Sequence, residues 1–441
     1  MRMLRSTVSI FLASLCLASV SVAQQLDFTP FHADGIYHAG EKVGWKITVH
    51  SGSALPSTDF SYVVRSNNLD VIGNGHFDLS SGAAAIETML KEPGMVYVEV
   101  DSVQSGNPSR PEMPAAPAAN RIAALGAAVD PSMLQPSVSA PADFWEFWNA
   151  QLKQLRTIPI DPILTPVPTQ KEDVDLFAVK LASAGSTVQG YLSKPKRDGK
   201  FPALVIYQYA GVYKLQPNTV TRRAADGWLT FDVDSHDISP DSDEGVQRDY
   251  QTIGNNDREK SYFLKMYLRD TRAIDYIRSR PDWDGKTIVV MGTSMGGQQS
   301  LVTAGLNSDA ITAVIVNEPS GADTNGNLHG HKAGYPNWPS NDPQATKTAL
   351  YFDTVNFASH IKAPTLAAMG FIDTTAPPVG IWTAIDQIPG LKEVVPMVES
   401  DHNNITPQKQ GAFNRRSEEV LTEILHGEQF KPDQTLSHPS R

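Results

Sequence analysis

Ile288-Val289-Val290-Met291-Gly292-Thr293-Ser294-Met295-Gly296-Gly297 is a short apolar, β-branched run that enters a Gly-x-Ser-x-Gly, and a helix-compatible segment from Gln298 to Gly305 follows it. Strand, serine between spaced glycines, helix: that order is what a nucleophile elbow needs. The serine has to sit on a sharp turn in a strained backbone conformation, where bulky neighbours two residues either side would collide. Gly292 and Gly296 stand at those places. The helix N-terminus would then aim backbone N–H groups at a developing oxyanion. A glycine-rich turn with a buried serine reads the same way in isolation, so the rest of the chain must supply the serine's partners.

A serine hydroxyl needs a base hydrogen-bonded to it and a carboxylate that orients that base. On an α/β-hydrolase sheet the chain order is Ser, then Asp or Glu, then His, each just past a strand. Asp373 follows the apolar run Leu366 to Ile372, and His402 follows Val394 to Val398. Ser294, Asp373 and His402 are therefore the candidate catalytic residues. His236, His329, His331 and His360 precede Asp373 and break the order, and His426 falls in a closing helix. Asp353 precedes a strand and reads as a surface or helix-capping carboxylate. Asp401 adjoins His402 and cannot easily reach its Nδ1 side.

The segments around the elbow alternate between strand and helix. Val174–Leu181 and Val188–Ser193 read as a hairpin, and Phe201–Tyr207 as a strand buried on both faces. A helix from Thr219, a strand Leu229–Val233, a helix Arg258–Arg280 and strands at Ala313–Val316, Thr365–Phe371 and Glu393–Val398 continue the pattern. The expected fold is a mostly parallel sheet with helices on both faces, an α/β-hydrolase domain over 141–430, with a tail over 431–441. Its ligands bind at the carboxyl ends of the strands. The insertion 321–348, with Tyr335 and Trp338, is placed to border that end as a sugar-stacking wall or a packed lid.

Upstream, the period is two. Val43, Trp45, Ile47 and Val49 alternate with polar or small residues, as do Phe60, Tyr62 and Val64, then Val96, Val98 and Val100. An immunoglobulin-like β-sandwich over 26–104 is expected, as a packing domain or a sugar-binding one. The Pro- and Ala-rich stretch 105–140 reads as a linker. Arg2, Arg5 and the apolar run Val8–Val20, followed by Ser21-Val22-Ala23, read as a Sec-type signal peptide over 1–23, hence a secreted or periplasmic protein. The single cysteine, Cys16, lies within it, so disulfides and thiol chemistry are excluded from the mature chain.

With 441 residues, 41 % hydrophobic, a large core is expected, and a net charge of −11 argues against nucleic acid or an anionic membrane as partner. No metal motif occurs: His-Glu-x-x-His is missing, His329-Gly330-His331 stands alone, and Asp232, Asp234, Asp237, Asp241 and Asp243 lack the spacing of a calcium loop and read as solvated. No Gly-x-Gly-x-x-Gly suggests a nucleotide cofactor.

Gly-Thr-Ser294-Met-Gly-Gly, Gly370-Phe371-Ile372-Asp373-Thr374-Thr375-Ala376-Pro377-Pro378 and His402 together resemble the acetyl xylan esterase family, which also contains the cephalosporin C deacetylases. The resemblance runs from about Pro141 to the final helix. It implies a serine carboxylesterase acting on acetylated xylan or other acetylated sugars, with no cofactor and with self-association left open. It also implies backbone N–H donors at Ala210 and Met295 for the oxyanion. Three departures stand out: Gln208-Tyr209 where the family carries His-Gly, Asp234-Ser235-His236-Asp237 near its Arg-Gly-Gln, and Ala376 at its cysteine. Tyr209 thereby joins Tyr335 and Trp338 as a candidate pocket residue. A peptidase or lipase using the same three residues, or a sugar-binding protein with an inactive esterase domain, are the competing readings. Since the base must start neutral, activity is expected to fall below about pH 6.

Overall fold

The computed structural model describes residues 26–51, 58–102 and 121–433; the signal-peptide expectation and Cys16 lie outside them. The alternating N-terminal segments form two sheets. One holds β1 (Leu26–Pro30), β3 (Val43–Val49) and β6 (Ala83–Thr88) in the order β1-β3-β6. The other holds β2 (Ile36–Tyr37), β4 (Asp59–Ser66), β5 (Asp70–Asp78), β7 (Gly94–Ser102) and β8 (Arg121–Val129) in the order β2-β8-β7-β4-β5. Trp45, Ile47, Phe60, Val64, Val96, Val98 and Val100 fill the space between them, so a two-residue period buries one face of each sheet.

One boundary moves. Arg121–Val129 falls in the expected linker but is strand β8, paired antiparallel with β7 from Met95↔Ala128 to Asp101↔Arg121. Its Ala-Ala-Leu-Gly-Ala-Ala sequence looks like spacer composition. The small side chains serve instead to let β8 lie against the second domain: a Cβ at Gly126 would sit 2.3 Å from the Phe371 carbonyl oxygen. Met95 and Ala128 are buried within the second domain's main core.

That second domain carries nine strands: β9 (Ile163–Pro166), β10 (Val174–Ser183), β11 (Ser186–Pro195), β12 (Phe201–Tyr207), β13 (Leu229–Val233), β14 (Trp283–Thr293), β15 (Ala313–Asn317), β16 (Thr365–Gly370) and β17 (Lys392–Met397). Their order is β17-β16-β15-β14-β12-β13-β11-β10-β9, with every pairing from β13 through β17 parallel. Eight helices accompany them among the described residues: α1 (Phe144–Arg156), α2 (Pro217–Asp226), α3 (Tyr262–Ser279), α4 (Met295–Leu306), α5 (Pro343–Ala349), α6 (Thr354–Ala358), α7 (Pro378–Asp386) and α8 (Gly411–Leu425). Continuous apolar runs are required because both faces are covered. Val205, Val290, Val314 and Ala367 face a core shared with α3 (Tyr262–Ser279), α4 (Met295–Leu306) and α7 (Pro378–Asp386). Their neighbours Leu204, Val289, Ile315 and Leu366 face Phe413, Val420, Leu421 and Ile424 of α8 (Gly411–Leu425). Each such valine, leucine, isoleucine or phenylalanine side chain contributes about 1.5–3 kcal/mol on full burial. This architecture is the α/β-hydrolase fold, and it brings the ends of β14, β15, β16 and β17 side by side.

Candidate active site

At the end of β14 the chain turns directly into α4. Ser294 occupies the turn with φ 58 and ψ −123, a strained conformation for a residue with a Cβ. The strain is held by close packing: a Cβ at Gly292 would lie 2.3 Å from Gly296 C, and one at Gly296 would lie 2.2 Å from the Tyr207 carbonyl oxygen. The backbone also pins the serine, its N–H donating to Asn317 O at 2.9 Å and its carbonyl accepting from Ser320 N at 3.1 Å.

The Ser294 hydroxyl donates to His402 Nε2 at 2.8 Å, and His402 Nδ1–H donates to Asp373 Oδ2 at 2.6 Å. Asp373 is fully buried, and its other oxygen, Oδ1, accepts from Thr375 N at 2.7 Å and Ala376 N at 2.8 Å. Three residues expected from separate strand ends thus form one continuous relay. Burial alone would lower the His402 pKa, but the hydrogen bond and charge of Asp373, with smaller contributions from Glu318 and Asp401, outweigh it and hold the imidazole above its ordinary 6.5. Met295 opens α4, where a first-turn N–H has no intrahelical acceptor. Ala210 lies just beyond β12, and the next residue's N–H is already taken by the Tyr250 hydroxyl at 3.1 Å.

The three candidate pocket aromatics part company. Tyr209 is 55 % exposed and stacks on Tyr213 with centroids 4.5 Å apart. Tyr335 is half-buried, its hydroxyl donating to the Tyr250 hydroxyl at 3.0 Å and lying 3.4 Å from Met295 Sδ. Trp338 is buried against Phe263 and stacked on Phe352 at 6.0 Å. An aromatic cluster around Trp148, Tyr267 and Phe357 claims that part of the insertion for the core.

Other expectations also change. Asp232 and Asp234 are buried, not solvated, and burial pushes both carboxyls up to about 8. Asp353 does cap a helix, accepting from Val355 N at 3.0 Å, but it is buried and also holds the Asp323 and Thr324 N–H groups. Asp401 accepts from Asn403 and Asn404 N–H groups, which turns it away from the imidazole. His236 is buried beside the Ala210 loop, its Nε2–H donating to Gly211 O at 2.9 Å and its Nδ1 accepting from the Tyr262 hydroxyl at 2.8 Å. Burial lowers its pKa to about 4, so it is a neutral prop for that loop. His331 pairs with Asp323 at 2.9 Å.

One further residue stands at the site. Glu318 is the first residue past β15, level with Ser294 past β14 because Thr293 pairs with Asn317. Desolvation, then the Asp373 charge, push its carboxyl up to about 7. Glu318, Asp373 and His402 place one ligand atom each within 4.8 Å of one another. Its sequence signal is an acid directly after a buried apolar strand.

A parallel sheet with an elbow serine at its carboxyl edge defines an α/β-hydrolase, and comparison with known proteins narrows this. The family profile described as Acetyl xylan esterase (AXE1) matches residues 132–324 and 334–417, so the chain belongs to the acetyl xylan esterase family and is an ester hydrolase. Acetyl esterase Axe7A of Xylanibacter ruminicola is 29 % identical over 384 residues, covering 82 % of this chain and 83 % of that one. The acetyl xylan esterase from Paenibacillus sp. R4 superposes with TM-score 0.59 at 25 % identity, covering 67 % of this chain and 98 % of its own. Acetyl xylan esterase 1 from Thermoanaerobacterium sp. JW/SL YS485 shares the fold with TM-score 0.57 at 19 % identity, over 67 % of this chain and 97 % of its own.

Proposed function

We propose that this chain is an exported serine esterase that removes acetyl groups from acetylated xylan or related acetylated sugars, with Ser294 as nucleophile, His402 as base and Asp373 as orienting acid. The observation that carries the mechanism is the unbroken relay Ser294 Oγ–His402 Nε2 at 2.8 Å and His402 Nδ1–Asp373 Oδ2 at 2.6 Å. His402 takes the hydroxyl proton as Oγ attacks the ester carbonyl, and Asp373 stabilises the imidazolium that forms. Ala210 and Met295 N–H groups receive the oxyanion, each such donor being worth about 3 kcal/mol. His402 then protonates the departing sugar oxygen, and water, deprotonated by the same imidazole, releases acetate from Ser294. The acetylated-sugar substrate is supported by family membership and by the relative named as an acetyl esterase. Export is supported by the leader composition, and no described helix is long and apolar enough to cross a membrane.

Ser294→Ala should reduce turnover of p-nitrophenyl acetate by roughly 10⁴-fold or more, and appreciable residual turnover would remove the assignment. A panel of acetylated xylan, other acetylated glycans and longer acyl esters should favour acetyl on sugar; preference for long acyl chains would redirect the substrate. Because His402 must be neutral to accept the proton and its pKa is raised, the acidic limb of kcat/KM should fall above pH 6.5, higher than composition alone suggests. A limb at or below pH 6.5 in a pH–rate profile would contradict a raised His402 pKa.

A further inference from the structure

Resting on the catalytic assignment above, we propose that Glu318 is a positioning residue of this site, a second buried carboxyl that acts on the base His402 from beside Asp373. Glu318 is fully buried and sits at φ 46, a left-handed conformation that a residue with a long side chain rarely adopts. The conformation is enforced by its N–H donating to Ala368 O at 2.8 Å. Room for the carboxyl is made by a glycine: a Cβ at Gly370, the last residue of β16, would lie 2.9 Å from Glu318 Oε1. Oε1 accepts from Ser400 Oγ–H and from Gln410 Nε2–H, each at 3.1 Å. Gln410 also reaches Ser400 Oγ at 2.9 Å and is itself fixed by Asn317 Nδ2–H at 2.8 Å. Oε2 is buried with no hydrogen-bond partner.

A carboxyl that served only packing would be better replaced by an apolar side chain, because an unsatisfied buried oxygen is costly. Here the donors hold one oxygen and leave the other bare in the catalytic cluster. The groups facing Glu318 are Asp373 from the loop after β16, Ser400 and His402 from the loop after β17, and Gln410 at the head of α8. Asp401, which also acts on His402, is tied to Lys409 at 3.3 Å. Among these, His402 is the one group that becomes cationic in the reaction. A negative charge at Glu318 therefore favours the imidazolium, and it does so without competing for Nδ1, which Asp373 holds.

The test is the pH dependence of kcat/KM for p-nitrophenyl acetate in wild type, Glu318→Gln, Glu318→Asp and Ser400→Ala, with rates normalised to sites titrated by a fluorophosphonate. Glu318→Gln should move the acidic limb to lower pH by about half a unit. Glu318→Asp, which keeps the charge, should hold the limb near its wild-type position. Ser400→Ala, which removes a donor that favours the ionised carboxylate, should move it the same way as Glu318→Gln but less. A fully titratable Glu318→Gln enzyme with an unmoved limb would overturn the inference. If that variant does not fold, an unmoved limb in Ser400→Ala does so instead. Ser294→Ala run alongside separates the two levels: its retained activity would refute the catalytic assignment, whereas its inactivity with unmoved limbs refutes only the role of Glu318.

Discussion

The carboxyl edge of the parallel sheet and the end of the β-sandwich that rests on it contribute to the same site in opposite ways. The sheet edge supplies the side chains of the proposed site, each delivered by the residue or short loop just past a strand: Ser294 after β14, Glu318 after β15, Asp373 after β16, His402 after β17. The sandwich supplies support and no member of the relay. Its hairpin between β4 and β5 turns through Asn67 and Asn68, with φ 51 and 56. Asn67 Nδ2–H donates to Gly330 O at 3.2 Å and its carbonyl accepts from Lys332 N at 3.0 Å, both in the insertion. Asn68 Nδ2–H donates to the backbone carbonyl of Asp373 at 3.4 Å. Gly126 of β8 packs on the Phe371 backbone two residues before Asp373, and Gly35, just before β2, approaches the Phe371 ring, its Cβ position 3.2 Å away. The N-terminal β-sandwich thus clamps the loop that holds Asp373, the proposed acid. The lesson is that chemistry and rigidity at one site can come from different domains, and substitutions should separate them.

On the catalytic side, Asp373→Asn keeps the shape but presents an amide N–H or O to Nδ1 and favours the wrong imidazole tautomer. Turnover should fall by about 10⁴-fold with little change in the unfolding midpoint, read by kinetics beside a melt. On the supporting side the balance should reverse. Gly126→Val has no space against the Phe371 backbone, so stability should drop by about 1–3 kcal/mol, with activity falling as the acid loop shifts. Gly73→Ala, on β5 of the same sheet with open space around it, should stay within about 0.5 kcal/mol of wild type and keep full activity. Equal effects at Gly126 and Gly73 in denaturant titrations would break the clamp reading. The smallest effect belongs to Asn68: Asn68→Ala should cost about 1 kcal/mol from the lost hydrogen bond and the left-handed backbone together. Asn68→Gly restores the backbone freedom, so it should recover stability but not the few-fold loss in kcat expected from an untethered Asp373 loop. Recovery of both would show that the turn matters only for folding.

Features set by local physics are legible in the sequence. The elbow needs glycines at fixed offsets, and apolar runs followed by Asp373 and His402 mark strand ends, so the strand-end placement of Ser294, Asp373 and His402 is legible in the sequence. The same local logic misread Arg121–Val129, since alanine-rich composition does not distinguish a spacer from a strand chosen for thin side chains at a domain interface. It leaves Trp338 open between a sugar-stacking wall and a packed lid, because an aromatic in an insertion can face inward or outward with equal sequence support. Asp232 and Asp234 looked solvated because polarity was visible and burial was not.

Sequence alone determined the alternation of strand and helix, the period-two sandwich and the chain order of Ser294, Asp373 and His402, because these follow from side-chain periodicity and backbone sterics within a few residues. Only the tertiary structure decided that Glu318 stands beside the acid, that Asn67 and Asn68 reach across from the other domain, and that the His402 pKa is raised. Those outcomes depend on distances between groups up to 305 residues apart in the chain, and electrostatics and packing act through space.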